Sequence, residues 1–480
     1  MSELAPLHRR FRMLVGGTFV LVLILVAAMT SSRGSRARHA DGTESLSLTN
    51  PSETSPEVTG SAPAGSAPTK SGAATATGGG GVTGYRPTQG GAGSAPRGVS
   101  FDQGVTRTSI KFAYFRVDSS FYTKQGLQDP HVELAVNAYV DYINSRGGIL
   151  GRRLIADGLV IADPRDEQEI RQRCLEAFGD HKAFMALNTQ SFPGLAQCAA
   201  QRKRGSFDIG YSGLTATAAS DLRSLGGRYW IAGMTSDRLT DLWAQFIRKN
   251  YGRSTKVGIL VHYNETLKRA ATQLSAALQR QGMPKPSVFQ HTPDNSTAAI
   301  QVANAVAQFK RDGVQLAAAI TNAVVVGIAQ RGFTANGYKP PKGWTFSSIA
   351  GLDSADTAPL FDPVQMNGAK GVSYATLPAE PMQTKCRQIF TSYNPNTTYL
   401  QEHGYWCHLI FENALALEKA GTLPTIARWA QGFAHLGTYT GNAFGRQTYS
   451  ATKRDGADQM RGWHFDNGSF AVDTPFADHF

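Results

Sequence analysis

Signatures of catalysis and of metal binding are missing from this chain of 480 residues. It contains no His-Glu-x-x-His motif and no Cys-x-x-Cys pair, which are the spacings typical of zinc sites. The stretch 210–214 reads Gly-Tyr-Ser-Gly-Leu, so it lacks the last glycine of a Gly-x-Ser-x-Gly nucleophile elbow. No two acids have a spacing peculiar to glycoside hydrolysis. We therefore predict no catalytic residues, no metal site and no cofactor.

Charged residues are also scarce, at 18% of the chain, although the formal net charge is +12. The basic residues are scattered and form no run interleaved with aromatics, which argues against a nucleic-acid partner. Fifty glycines occur without a period of three, which excludes collagen. Hydrophobic residues make up 41% of the chain, enough for at least one full core, and the length allows two to four domains.

Near the start of the chain, residues 13–29 (MLVGGTFVLVLILVAAM) form an uninterrupted apolar run of 17. As a helix it would be about 26 Å long, close to the thickness of the hydrocarbon core of a bilayer. Arg9, Arg10 and Arg12 precede it, which favours a cytoplasmic segment over 1–12. We predict an uncleaved membrane anchor or a cleaved signal segment. A buried core helix is the other interpretation, but nothing nearby could cover it.

The next part of the chain, 30–103, is predicted to be a disordered linker. Of the 70 residues in 31–100, 51 are Gly, Ala, Ser, Thr or Pro. Such a composition cannot bury enough apolar surface to offset the entropy of ordering. The glycines at 78–81 follow no strand pattern and precede no Lys-Ser or Lys-Thr pair, so they do not form a phosphate loop.

From about residue 104 onward, short apolar runs alternate with amphipathic helical patterns. SIKFAYF (109–115) is typical of a buried strand, and the helix that follows has an apolar stripe at helical spacing. That stripe consists of Val132, Ala135, Val136, Tyr139, Val140 and Ile143. A second series of the same kind begins after Thr235. Alternating strands and helices predict two doubly wound lobes with parallel sheets, whose ligands bind beyond the carboxyl ends of the strands.

Several segments resemble the branched-chain amino-acid-binding proteins, which are type I periplasmic-binding proteins of ABC importers. These are GVTRTSIKFAYF, AVNAYVDYINSRGGILGRRL, IADPRDEQEIRQRCLEAF and KRDGADQMRGWHFDNGSF. The most specific element is the pattern Asn144, Gly147, Gly148, Gly151 and Arg152. The resemblance covers roughly 104–475. It implies two α/β lobes joined by a three-crossover hinge that closes on a ligand.

The resemblance also implies how the chain divides between the lobes. Lobe one would take about 104–234, lobe two about 235–350, and each would add part of the C-terminal region. The three crossings are predicted near 232–236, 350–370 and 436–444.

All four cysteines lie inside the predicted two-lobed domain of 104–480. Cys174 and Cys198 fall in successive helices, which can bring them within disulfide reach, and the family often has a bridge there. Cys386 and Cys407 would form the second bridge. Four cysteines allow three pairings, and buried free thiols are the other interpretation.

Three loops that follow strands of lobe one supply candidate ligand contacts. In the family, the first loop carries an aromatic that covers the ligand, and the third binds a ligand carboxylate through hydroxyls and backbone. The second precedes Pro193 and places a hydroxyl at a helix N-cap, where free N–H groups can hold a carboxylate. Helix capping alone would also explain Ser191, and ordinary turns would explain the others. The candidates are Phe121, Tyr122, Thr189, Gln190, Ser191, Tyr211, Ser212, Gly213 and Thr215.

Lobe two offers Tyr263, Asn322 and Asp353, each near the end of a predicted strand. In the family, a carboxylate in the last of these regions meets the α-ammonium of the ligand, and Asp353 is the candidate for that role. A turn aspartate is the alternative. The loops at Asn188, Asn322 and Asp353 are not spelled as in members that bind leucine. The many aromatics (24 Phe, 16 Tyr and 6 Trp) are compatible with a larger or aromatic-stacked ligand.

The resemblance predicts an extracytoplasmic solute-binding protein that captures an amino-acid-like ligand for an ABC permease. It would be anchored to the cell membrane, or secreted if the segment 13–29 is cleaved. A membrane-tethered ligand sensor with the same fold is the alternative function.

Overall fold

The computed structural model describes residues 101–292, 297–421 and 423–480. The predicted membrane segment at 13–29 and all but the last residues of the predicted linker lie outside these ranges. No helix within the described ranges combines the length and the apolar character needed to cross a bilayer.

Lobe one is built on a sheet of five parallel strands in the order β2-β1-β3-β4-β7. The second strand in this order pairs Phe112 with Met185 on one side and with Ala156 on the other. The strands are β1 (Ser109–Val117), β2 (Arg153–Ile161), β3 (Met185–Asn188), β4 (Gly205–Asp208) and β7 (Tyr229–Ile231). Between β4 and β7 the chain forms a small antiparallel pair, β5 (Tyr211–Ser212) and β6 (Thr215–Ala216).

The helices of lobe one begin with α1 (Ser119–Lys124), α2 (Val132–Asn144), α3 (Glu167–Gly179), α4 (Leu195–Gln201) and α5 (Ala219–Ser224). Every residue of the apolar stripe predicted for α2 is buried. This helix ends where Gly147 and Gly148 adopt φ angles of 96° and 71°, a backbone region that favours glycine.

The Asn144 motif has a structural explanation at this turn. The Asn144 side chain donates to the carbonyl of Leu154 at 3.0 Å and accepts from its N–H at 2.8 Å. A Cβ on Gly148 would lie 2.0 Å from the carbonyl oxygen of Arg152. The motif therefore fixes the connection from α2 into β2.

Lobe two has a sheet of seven strands in the order β16-β15-β12-β11-β10-β8-β9. Five strands are parallel, and β15 and β16 add to one edge as an antiparallel pair. The parallel strands are β8 (Val257–His262), β9 (Ser287–His291), β10 (Leu316–Ile320), β11 (Trp344–Ser347) and β12 (Ala369–Ser373). The antiparallel strands are β15 (Arg461–Asp466) and β16 (Ser469–Val472). Their turn places Asn467 and Gly468 at φ angles of 49° and 81°, as a tight hairpin requires.

Helices α6 (Ser236–Tyr251), α7 (Glu265–Arg280), α8 (Ala298–Arg311), α9 (Ala323–Ala335) and α10 (Pro363–Met366) belong to lobe two. Helices α11 (Thr384–Tyr393), α12 (Gln401–Ala420) and α13 (Ile426–Ala434) return to lobe one, where α12 packs on α2 and α13. A hairpin of β13 (Gly437–Thr440) and β14 (Arg446–Tyr449) follows them.

The chain passes between the lobes three times. The first passage, between β7 and α6, lies where the sequence predicts it. The second lies after β12, between Ser373 and Thr384, so the predicted crossing at 350–370 is wrong: that segment connects two strands of lobe two. The third reaches lobe two only at β15, after Ile231 and Asp455 form a bridge on the sheet of lobe one. It therefore comes later than the predicted 436–444.

Both predicted disulfides are present. Cys174–Cys198 joins α3 to α4 with a Cα–Cα distance of 6.5 Å. Cys386–Cys407 joins α11 to α12 with a Cα–Cα distance of 5.8 Å. The alternative of free thiols is excluded, since none of the four cysteines is free.

Candidate ligand-binding cleft

A cavity of about 260 Å³ lies between the two lobes. Its walls come from residues at the carboxyl ends of β1, β3 and β4 in lobe one and of β8, β10 and β11 in lobe two, with the first turn of α12 closing one side. This is the position expected for a ligand in parallel α/β sheets. Most of the lining side chains are apolar or aromatic.

Phe121 and Tyr122 both line this cavity, but they lie on the short helix α1 rather than in the predicted loop. The Asp118 side chain caps that helix by accepting from the N–H of Ser120 at 2.8 Å. The two rings contact each other edge to face, with their centroids 6.4 Å apart. This helix therefore contributes two aromatic side chains to the wall of the cavity.

The residues of the loop after β3 contact two different acids. Thr189 and Gln190 line the cavity, and both donate to Glu402 Oε1, the Gln190 amide at 3.5 Å. The Ser191 hydroxyl instead donates to Asp208 Oδ1 at 3.0 Å, and Ser191 is absent from the lining of the cavity. Ser191 therefore supports the loop and does not face this cavity.

Asp208, at the end of β4, organises the loop that carries Tyr211, Ser212 and Gly213. Its carboxylate accepts from the N–H of Gly210 at 2.7 Å and from the Tyr229 hydroxyl at 3.1 Å. Burial raises the pKa of Asp208 to about 7. Tyr211, Ser212 and Gly213 all line the cavity. Ser212 Oγ accepts from the N–H of Leu214 at 3.1 Å, which leaves its own hydrogen available to donate.

The lobes touch at Gly213. A Cβ at this position would lie 2.3 Å from Cβ of Asn322 and 2.6 Å from its Cα. Asn322 caps α9, since its side chain accepts from the N–H of Val325 at 3.0 Å. Glycine at position 213 thus permits the loop of lobe one to rest directly on the first turn of α9 in lobe two.

His262, at the end of β8, contributes a neutral imidazole to the wall. Burial and the neighbouring His291 lower the pKa of His262 to about 4. Its Nδ1 accepts from the N–H of Asn264 at 3.2 Å. The proton is therefore on Nε2, so this side chain, which lines the cavity, has one N–H to donate.

Asp353 does not line the cavity. It is fully buried, and its carboxylate accepts from the Ser348 hydroxyl at 2.5 Å. The chain leaves β11 through a 3₁₀ turn at Ser348–Ala350 instead of continuing as a strand, and this turn carries Asp353 beneath the wall. The sequence predicts that Asp353 faces the ligand, whereas the structure places it outside the wall of this cavity.

Two acids line the cavity, Asp356 and Glu402, and neither is among the candidates predicted from the sequence. Asp356 comes from lobe two and accepts from the N–H groups of Gln401 and Glu402 at 3.4 Å and 3.3 Å, so it caps α12 of lobe one. Burial raises the pKa of Asp356 to about 6, and burial together with the charge of Asp356 raises the pKa of Glu402 to about 7. A cation placed beside this pair would stabilise both ionised carboxylates.

Comparison of the sequence with known protein families identifies the family of this chain. A sequence model of the periplasmic binding protein family matches residues 109–468. The chain belongs to that family. The family is non-enzymatic, which confirms the prediction of no catalytic activity. No curated protein matches the chain by sequence.

Solved periplasmic binding proteins share the fold at low sequence identity. One is a fatty acid ABC transporter substrate-binding protein from Thermomonospora curvata, with a TM-score of 0.63 and 14% identity over 80% of this chain and 96% of that one. Another is a branched-chain amino acid ABC transporter protein from Thermus thermophilus with bound valine, with a TM-score of 0.60 and 13% identity over 77% and 96%. A third, from Rhodopseudomonas palustris BisB5 in complex with 3,4-dihydroxy benzoic acid, has a TM-score of 0.60 and 12% identity over 77% and 97%.

This periplasmic binding protein also has a second space between its lobes, a groove of about 600 Å³. Three residues predicted as ligand contacts line this groove and not the first cavity, namely Ser191, Thr215 and Tyr263. Asn322 lines the first cavity. No group of three or more His, Cys, Asp or Glu within the described ranges could hold a metal ion.

Proposed function

We propose that this chain is the extracytoplasmic solute receptor of an ABC importer and that it captures an amino-acid-like ligand between its lobes. The observation that carries the proposal is the cavity at the carboxyl ends of both sheets, with the acids Asp356 and Glu402 in its wall. Membership of the periplasmic binding protein family supports the receptor role. Bound valine in the fold relative from Thermus thermophilus supports the ligand class.

The ammonium group of the ligand would bind to Glu402 and Asp356 rather than to Asp353. Both acids line the cavity and both are buried, which raises their pKa values. An ammonium would supply the positive charge that stabilises their ionised forms. Asp356 belongs to lobe two and Glu402 to lobe one. An ammonium between them would therefore join the two lobes and make closure depend on the ligand.

The carboxylate of the ligand would bind where donors face the same cavity. The Ser212 hydroxyl has a hydrogen to donate, and the first-turn N–H groups of α9 at Ala323 and Val324 have no intrahelical acceptor. Ser212 lies on lobe one and α9 on lobe two. Both charged ends of a zwitterion would thus be shared by the lobes.

The cellular setting follows from the family and from the cysteines. Two disulfides in a chain of this size fit an oxidising, extracytoplasmic compartment. We propose that the segment 13–29 tethers the receptor to the membrane, where a permease would receive the ligand.

A calorimetric titration of the Glu402→Gln variant tests the ligand assignment. A thermal-shift screen of the twenty standard amino acids first selects a binder, since a ligand at 100 times its Kd stabilises the fold by about 2.7 kcal/mol. Loss of a charge-assisted hydrogen bond should then weaken binding roughly tenfold to a hundredfold. Glu133→Gln is the matched control, because Glu133 lies on α2 outside both spaces between the lobes.

Equal affinity in Glu402→Gln and the native protein would refute the ammonium site. The importer role needs its own measurement, which is uptake of the selected amino acid by cells with and without the chain. Binding without any effect on uptake would favour the sensor function.

A further inference from the structure

The first cavity and the groove are adjacent and share a stretch of wall. Four residues line both spaces, namely Arg165, Phe192, Leu214 and His262, and this shared stretch is called the neck below. The volumes are about 260 Å³ and about 600 Å³. Ligand pockets in proteins usually measure roughly 300–1,000 Å³, so the two spaces together reach the upper part of that range.

Acids line both spaces. Asp356 and Glu402 line the first cavity only, and Glu167, Asp221 and Glu265 line the groove only, so none of the five lies in the neck. The neck itself has two apolar side chains, Phe192 and Leu214. An apolar segment of a ligand would bind there.

The neck also offers hydrogen-bond donors. His262 lines the neck, and its Nε2–H remains available to donate because its Nδ1 accepts from the N–H of Asn264. Arg165 lines the neck as well and is held in place by Asp163, with contacts of 2.8 Å and 2.6 Å. These donors suit a carbonyl or carboxylate oxygen rather than a second ammonium.

The groove beyond the neck contains a buried polar atom without a hydrogen-bond partner among the described residues. The Thr215 hydroxyl oxygen is shielded from solvent and has no hydrogen-bond partner within the described ranges. Buried polar atoms normally have a partner, so this one points to a missing acceptor or donor. Tyr263 lines the groove with 47% of its surface exposed.

We propose that the ligand is longer than a single amino acid: a short peptide or similar amide-linked amine, with its ammonium at Glu402 and Asp356 and its chain passing the His262 neck into the groove. The proposal rests on the function proposed above and names the substrate class of the same site. It explains why the two spaces meet at donors, since each peptide unit supplies a carbonyl oxygen.

Calorimetry on the full chain tests this substrate class. Thermal-shift screens of the twenty amino acids and of a dipeptide library with free N-termini select the best probe of each kind. We expect the best dipeptide to bind at least tenfold tighter than the best amino acid, and its N-acetylated form to lose at least tenfold. Gln197→Trp places a bulky ring in the groove and should lower the ratio of dipeptide to amino-acid affinity at least fivefold. Gln279→Trp, exposed on α7 outside both spaces, should preserve the ratio.

The outcomes separate the two proposals. If the best amino acid binds as tightly as the best dipeptide, the extended ligand is refuted and the proposed function stands. If the ratio falls equally in both tryptophan variants, the path through the groove is refuted. If the N-acetylated dipeptide binds as well as the free one, or if no probe of either kind binds, both proposals fail.

Discussion

At the scale of single residues, the contact between Gly213 and Asn322 decides how closely the lobes approach. Gly213 has no positive φ angle, so alanine fits its backbone, and the obstacle is the 2.3 Å distance from the new Cβ to Cβ of Asn322. The clash lies between the lobes rather than inside one of them. A substitution there acts on closure more than on folding.

We predict that Gly213→Ala weakens binding of the selected ligand at least tenfold while the free energy of unfolding changes by less than about 1 kcal/mol. Calorimetry and urea denaturation measure the two quantities. Gly179→Ala is the control, because nothing lies within 4 Å of a Cβ at that position. Unchanged affinity in Gly213→Ala would show that the lobes close without this contact.

The raised pKa of Glu402 predicts a pH dependence of stability in the ligand-free protein. Its pKa rises from 4.5 to about 7 on folding, so between these values the native state binds more protons than the unfolded state. The free energy of unfolding therefore falls as the pH rises through this window, by up to about 1.4 kcal/mol per pH unit for this group.

The lowered pKa values of His262 and His403, each to about 4, act in the opposite sense. The measurement is thus a comparison of native protein and Glu402→Gln by urea denaturation between pH 5 and pH 7. The variant should lose less stability across that range. Parallel curves for the two proteins would contradict the burial of an ionisable group at position 402.

Residues in the wall of the cavity were predictable where strand ends could be located. Thr189, Gln190 and Ser212 follow short apolar runs, and all three line the cavity. Glu402 was not predictable, because its partners Thr189 and Gln190 lie more than two hundred positions away in the chain. Asp353 was expected in that wall because WTFSSIA is typical of a strand over its whole length, but the strand ends at Ser347 and a 3₁₀ turn follows it.

At the scale of elements, the two disulfides differ in what they hold. Cys174–Cys198 joins α3 and α4, and neither cysteine lines the cavity. Cys386–Cys407 fixes α12, whose first turns carry Glu402 and Tyr405 into the cavity wall. The first bridge therefore lies outside the first cavity, and the second holds one wall of that cavity.

We predict that replacing Cys174 and Cys198 together by alanine lowers the free energy of unfolding by about 3 kcal/mol and changes ligand affinity less than twofold. The same change at Cys386 and Cys407 should lower stability by a similar amount and affinity at least threefold, because α12 loses its anchor. Denaturation and calorimetry on both double variants provide the comparison. Equal affinities in the two variants would refute the link from the second bridge to the site.

Element types followed from periodicity more reliably than element ends did. The stripe of α2 was correct in every residue because one face of that helix packs on a sheet. The segment after β1 was expected to be a loop but forms α1, since Asp118 supplies a cap that a count of apolar residues does not register. The Asn-Gly pair at 467–468 marks the hairpin of β15 and β16, and it was the available signal for the antiparallel edge of lobe two.

At the scale of the whole molecule, an ion pair fastens the lobes beside the cleft. Arg269 on α7 of lobe two donates to both carboxylate oxygens of Asp221 on α5 of lobe one, at 3.0 Å and 2.5 Å. Arg269 also donates to the carbonyl of Ala216 at 3.1 Å. Separation of the lobes would break these three contacts together.

We predict that Arg269→Ala shifts the ligand-free protein toward an open form and lowers ligand affinity threefold to thirtyfold. Small-angle scattering should show a larger radius of gyration for the variant, and ligand at saturation should reverse most of the increase. Arg280→Ala is the control, because Arg280 pairs with Asp241 at 2.5 Å within lobe two. A radius equal to that of the native protein would mean that other contacts hold the lobes.

The late return of the chain to lobe two has a consequence for biosynthesis. Strand β12 pairs with β15, yet α11, α12 and α13 of lobe one are made between them. A chain that emerges in order from a ribosome or a translocation channel therefore leaves the edge of β12 unpaired while the other lobe is being supplied. Unpaired strand edges are prone to aggregation. Neither lobe can finish folding before the other is nearly complete. During that interval a holding chaperone would shield the exposed edge of β12.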